Sequence, residues 1–250
     1  MKVLGSLSAR LLVHVGVIVM SVTIITCYII AVSLGHVKPW LPTISACGDH
    51  APEEFLFRFG IFCGAMLLEV EAFALYLSKK ASRTTFALGA VAAFSLGVVA
   101  VVGANENNVL HTTNAVIFFV FEDIMLVLLT VDLLGKMSYC SLGIKVVSCT
   151  IACASTIMRI LLMHNLLTVG DFPALPIFEW SNTAAIIVYQ LSLSNELESL
   201  ALGILETDSS KSTTPKTPPP VIADNASPVY EVTGPSKKPI ALAYLSSEKA

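Results

Sequence analysis

The chain is 250 residues long, 55% of them hydrophobic and only 13% charged, with a mean hydropathy of +0.77. Soluble domains carry about 25% charged residues, so this composition excludes an ordinary water-soluble fold and points to a chain that crosses a bilayer several times. The net charge of −3, with no basic patch interleaved with aromatics, argues against nucleic acid as a partner. Six cysteines, four of them inside apolar runs and none in a C-x-x-C pair, argue against a secreted disulfide framework and a structural zinc site.

A helix needs about 20 mostly apolar residues to cross the hydrocarbon core. Six stretches meet or approach that standard: 11–34, 55–77, 85–102, 110–134, 146–167 and 177–197. The third is the shortest and the sixth the most polar. Ala31-Val-Ser33 resembles a signal-peptide cleavage site, but the run before it is about twice the usual 7–15 residues of a signal core, so the first helix is expected to be retained. Lys2, Arg10, Lys79, Lys80, Arg83, Lys136 and Lys145 fall in connections on one side, and Lys38 alone on the other. Seven against one places both termini in the cytoplasm, with loops 35–54, 103–109 and 168–176 facing the lumen or exterior. The expected fold class is all-α: a polytopic integral membrane protein of six transmembrane helices in one domain, 1–200, followed by a tail, 201–250.

The tail is rich in Ser, Thr, Pro and Lys, has no helical apolar period, and reads as disordered. Pro215-x-x-Pro218 and its Ser/Thr neighbours would suit a cytoplasmic partner or phosphorylation, against the plainer reading of a solvated tail. Asn225-Ala-Ser227 matches the glycosylation pattern and would stay unmodified on the cytoplasmic side. Small residues recur every fourth position in the second helix (Gly60, Gly64), the third (Gly89, Ala93, Gly97) and the fifth (Ser148, Ala152, Thr156), which lets helices approach closely in lipid.

The polar island between the first two spans, residues 35–57, is the first place to seek function. Pro39, Pro42 and Pro52 stiffen it and Gly48 permits a tight turn. Pro52-Glu53 reads as the start of the second helix, and Trp40 suits the membrane interface. The loop is therefore expected to be a rigid cap on the outer helix ends.

Within the spans, Glu122 and Asp123 sit about 18 Å from either end of the fourth helix, and Arg159 is offset from them by about 6 Å. An Arg159 pair with one of the two acids is expected, since intramembrane charges pair with one another. Glu69 and Glu71 lie in the inner half of the second helix, Arg58 near its outer end, and Glu179 at the outer end of the sixth. Two readings stand side by side: ion pairs that fix helix register, or an outward polar cavity bounded by Arg58, Arg159, Glu122 and Glu179 that receives a lipid head group. The outer side also carries His36, Asp49, His50, Glu53, Glu54, His111, His164 and Asp171. No short-spaced ligand motif such as H-E-x-x-H accompanies them, so no metal, no cofactor and no catalytic residue is expected.

Gly35-His36-Val37, Pro39, Leu41-Pro42, Ile44-Ser45, Gly48, Pro52-Glu53 and Phe57 resemble the first luminal loop of the damage-regulated autophagy modulator (DRAM) family. That family shares a broader group, with a CWH-type N-terminal domain, with GPI-lipid-remodelling proteins and plasma-membrane regulators of phosphoinositide kinase assembly. His111 and Glu179-Trp180 extend the resemblance, which covers most of residues 10–200. Ala46 stands where relatives carry an acid, Ala51-Pro52 replaces a doubled proline, and the long tail is not covered. The resemblance implies an endolysosomal membrane, positive regulation of autophagy and no enzymatic step. The other two branches would imply Golgi lipid remodelling or control of phosphoinositide synthesis at the plasma membrane. On this reading His36, Pro42, Ser45, Gly48, Pro52, Glu53, His111, Glu179 and Trp180 are the candidate luminal loop and ligand contact: the polar side chains would hold a lipid head group or partner, and most of the loop would hold the helix ends together.

Overall fold

A computed structural model describes residues 2–164, 174–197, 200–206, 230–232 and 240–246. Six helices follow one another: α1 (Ala9–Ser33), α2 (Glu53–Leu77), α3 (Arg83–Val101), α4 (Asn108–Asp132), α5 (Tyr139–Met163) and α6 (Ala174–Leu193). Each packs on its neighbour in sequence, and α6 returns to α1 to close the ring. The first five are long and apolar enough to cross a membrane. α6 has the length, but it spends its inner face on Glu179, Asn182, Tyr189 and Gln190, all buried.

Helix boundaries follow local chemistry. Ser82, Asn107 and Ser138 are N-caps whose side-chain oxygens accept the backbone N–H of Thr85, Leu110 and Ser141 at 3.0–3.2 Å. Glu53 and Glu54 occupy the first turn of α2, where they complement the helix dipole. α1 ends in a left-handed Gly35 (φ +77°), and the N–H of His36 closes back on the carbonyl of Ala31 at 2.9 Å. The cap at Ser138 starts α5 well before the apolar run at 146. Lys145, read from sequence as a loop residue, is instead a fully buried helix residue.

The surface is apolar and the interior carries the charges. Ile18, Val22, Ile25 and Ile29 of α1, Phe55 and Phe59 of α2 and Phe94 of α3 are exposed, while Glu71, Glu122, Asp123 and Lys145 are buried. Such a distribution suits a hydrocarbon surrounding, where polar groups turn inward. At the α1–α2 seam a Cβ on Gly60 would lie 2.0 Å from Thr23 Oγ1, so the expected close approach of small residues is present there.

Strands not expected from sequence stand at both ends of the chain, two of them wholly within the stretch read as a disordered tail: β1 (Lys2–Ser8), β2 (Leu200–Glu206), β3 (Tyr230–Val232) and β4 (Ile240–Ser246) form an antiparallel sheet in the order β1-β2-β4-β3. Leu-Ala-Leu-Gly-Ile-Leu-Glu and Ile-Ala-Leu-Ala-Tyr-Leu-Ser are apolar islands in the polar tail, and ladder hydrogen bonds offset the cost of ordering them. The β1–β2 pairing, with Ser8 opposite Ala201, brings the start of α1 and the chain after α6 to one end of the bundle. Asp171, Pro215-x-x-Pro218 and Asn225 lie outside the described residues.

Candidate functional site

The opposite end of the bundle carries the loop between α1 and α2. A short 3₁₀ turn, Ser45–Gly48, sits at its centre, and Gly48 presses on Phe57. A Cβ at Gly48 would fall 2.2 Å from Phe57 Cγ and 2.7 Å from Phe57 Cβ, so close approach requires glycine there. Pro52 stands immediately before α2.

Hydrogen bonds fasten this loop to most of the ring. Tyr28 of α1 donates to the Pro39 carbonyl at 2.8 Å, and Trp180 of α6 donates to the Pro42 carbonyl at 2.8 Å. The Tyr28 and Trp180 rings meet edge to face at 6.1 Å. Asp49 Oδ1 accepts the N–H of Ala104 at 3.2 Å, and Asn105 donates to the Asp49 carbonyl, which ties in the α3–α4 connection. Burial pushes the Asp49 carboxyl above its ordinary range. His36 Nδ1 meets Glu53 Oε1 at 2.5 Å, with Glu53 wholly buried and the His50 ring 5.0 Å from that of His36. His36 thus clasps one oxygen of Glu53, while Glu53 Oε2 is buried with no hydrogen-bond partner among the described residues.

Ser45, His111 and Glu179 form a second group. His111 Nδ1 contacts the Val102 carbonyl at 2.7 Å, and since a carbonyl only accepts, Nδ1 carries the proton. His111 Nε2 lies 3.0 Å from Ser45 Oγ, and Ser45 Oγ lies 3.5 Å from Glu179 Oε1. The hydroxyl is therefore positioned between an imidazole and a carboxylate. A carbonyl, not an acid, orients the imidazole, so the order differs from that of a Ser-His-acid triad.

Ser45 and Glu179 also stand at one end of a narrow, largely apolar groove. Ile24, Phe57, Ile61, Leu96, Phe118 and Ile186 line its length, and Glu71 and Gln190 lie deeper. The thiol of Cys47, buried within the turn, is pushed up to about 12 by burial and is a poor nucleophile at any physiological pH.

Two sequence expectations about charge are corrected. Arg159 does not pair with Glu122 or Asp123; its guanidinium lies over the Phe119 ring at 5.0 Å and within electrostatic reach of Glu179. Its place along α5 puts it nearer the cap than the two acids. Arg58 does not border a cavity with Glu122 and Glu179. It clasps Glu54 at 2.5 Å, Glu106 at 2.8 Å and the Val101 carbonyl at 3.1 Å on the rim, and its hydrogen bond holds Glu106 below the usual carboxylate range. Glu179 lines one cavity and Glu122 another, and neither Arg58 nor Arg159 lines either of them.

Sequence reasoning also missed partners inside the bundle. Asp123 Oδ2 accepts from Asn182 Nδ2 at 3.3 Å, and that amide also contacts Thr156 Oγ1 at 2.6 Å. Lys145 Nζ pairs with Glu196 at 3.2 Å and reaches Ser141 and Ser192. The spacing of Glu179, Asn182, Ile186 and Gln190 along one helical face was the available signal. Among the described residues no group of three or more His, Cys, Asp or Glu is placed to hold a metal ion.

Residues 8–200 match the Frag1/DRAM/Sfk1/Cwh43P N-terminal domain family. The chain is similar to DNA damage-regulated autophagy modulator protein 1 of Homo sapiens, 26% identical over 214 residues, covering 74% of this chain and 89% of that protein. The Mus musculus protein of the same name is 28% identical over 212 residues, with the same coverage of each chain. No solved structure matches. Helix ring, clasped loop and matched span together place this chain in the Frag1/DRAM/Sfk1 family, as a DRAM-like member.

Proposed function

We propose that this chain is a DRAM-like modulator of autophagy and of endolysosomal membrane and lipid homeostasis, with no enzymatic step of its own. The observation that carries the reading is the similarity to autophagy modulator protein 1 across 89% of that protein's length. In this reading both termini are cytoplasmic and the clasped loop faces the lumen, as the Lys and Arg distribution favours. The groove takes one lipid chain, and the head group meets Ser45 and Glu179, the two loop-end polar residues that line it. His36, Pro42, Gly48, Pro52, Glu53 and Trp180 support that mouth and do not touch the lipid. No nucleic acid takes part, and the tail serves a cytoplasmic partner.

Deleting the chain from cells that express it tests the reading. Autophagic flux should fall while GPI-anchored proteins mature normally at the surface; unchanged flux would overturn it. A second reading, GPI-anchor lipid remodelling in the Golgi, is favoured by one observation. The Ser45 hydroxyl lies 3.0 Å from an oriented imidazole at the mouth of a chain-shaped groove, within the reach a general base needs. Loss of mature GPI-anchored surface proteins with flux retained would select it.

A further inference from the structure

The bundle interior holds three carboxylates, Glu71 on α2 and Glu122 and Asp123 on α4, none more than 6% exposed. Ion pairs among the described residues leave them aside: Arg58 serves Glu54 and Glu106, and Lys145 serves Glu196. Asp123 gives one oxygen to Asn182. Glu71 and Glu122 interact electrostatically and line one small cavity, completed by Gln190 of α6 and Gly89 of α3, with room for a single water-sized species.

This place is rich in acceptors and short of donors. Glu122 Oε1 and Gln190 Oε1, the latter on a side chain 4% exposed, find no hydrogen-bond partner among the described residues. Two ionised carboxylates side by side in a low-dielectric interior repel and lose their hydration, so the pair requires a positive charge between them. The groups facing the cavity are Glu71 from α2 and Glu122 from α4, while α3 offers only a glycine and α6 the Gln190 amide. Tyr189, the next α6 residue, is turned to Thr130 at 2.9 Å. Glu69, two residues from Glu71, is half-buried and does not line the cavity.

We propose that Glu71, Glu122 and Gln190 form a proton-binding site in the middle of the bundle, in which one carboxyl carries a proton and donates it to the other carboxylate or to a water held against Gln190. The cavity shares Leu68, Glu71 and Gln190 with the groove whose other end lies at Ser45 and Glu179. The site thereby adjoins the groove that reaches toward the clasped loop. A bound metal is a poorer match, because no trio of ligand side chains converges there.

Infrared spectroscopy of the full-length chain in sodium-free liposomes at neutral pH tests this. The wild type should show the carbonyl stretch of a protonated carboxylic acid in an apolar site, shifting on exchange into D₂O. Glu122→Gln and Glu71→Gln, each isosteric, should each remove or displace that band, and Gln190→Leu should keep it but move it by deleting a hydrogen-bond partner. Should one variant fail to fold, the other two are read. A wild type without the band, or a band that all folded variants leave in place, would overturn the proposal. So would a band abolished by sodium at constant pH, which would assign the cavity to that cation.

Discussion

His36 and Glu53 stand out in the sequence as polar residues in an apolar chain, and the structure turns them toward each other at 2.5 Å. Because Glu53 is wholly buried and His36 partly exposed, His36→Ala leaves an acceptor without its donor and should cost about 1–3 kcal/mol. Thermal unfolding of the detergent-purified protein reads that loss, and an unchanged Tm would show that the clasp does not hold the loop. Asp49 supplies a pH test. Its carboxyl is raised by burial, so the folded state binds a proton more readily than the unfolded chain. Its contribution to stability is then greatest in acid and is lost as pH rises through the folded value. Asp49→Asn should raise the Tm at neutral pH, with the gain shrinking toward acid; a gain equal at both pH values would contradict the burial argument. The types of these residues were legible in the sequence. Their partners were not, since Ser45 meets Glu179 across 134 positions and Trp180 meets Pro42 across 138.

Between elements, glycine spacing announced close packing without saying what each glycine meets. Gly60 faces the β-branched Thr23, which is 4% exposed and cannot retreat, whereas Gly64 faces the flexible end of Met20. Gly60→Ala should therefore cost about 1–3 kcal/mol as overpacking, and Gly64→Ala clearly less. Equal losses in a melt of the two variants would contradict the α1–α2 seam. Lys145 and Glu196 fasten the start of α5 to the turn after α6. Lys145→Met should cost about 3–5 kcal/mol by removing the ion-pair partner of a buried carboxylate that keeps only the Ser141 hydroxyl as a direct side-chain donor, and Lys145→Met with Glu196→Met should recover most of it. Chemical denaturation of the two variants decides; no recovery in the double variant would mean that the surrounding serines, not the pair, set the stability. This tie was hidden from sequence because apolar runs locate the lipid-facing length of a helix, while the cap at Ser138 decides where it starts.

At the scale of the whole chain, six apolar runs sufficed to foresee the six helices, because length and hydropathy report the bilayer directly, while their packing into a ring came only with the structure. The short sheet was not foreseen: its strands are brief apolar segments, and the pairing of β1 with β2 joins residues some 200 positions apart in sequence. An apolar exterior, charges folded inward and a loop clasped over one end describe a membrane body with an apolar groove among its helices. The most direct measurement is the distribution of the full-length chain, tagged and expressed at its natural level, against markers of the lysosome, Golgi and plasma membrane. Concentration on lysosomal and late-endosomal membranes is the expected result for a DRAM-like modulator of autophagy. Residence in the Golgi or at the plasma membrane, with none on lysosomes, would contradict it.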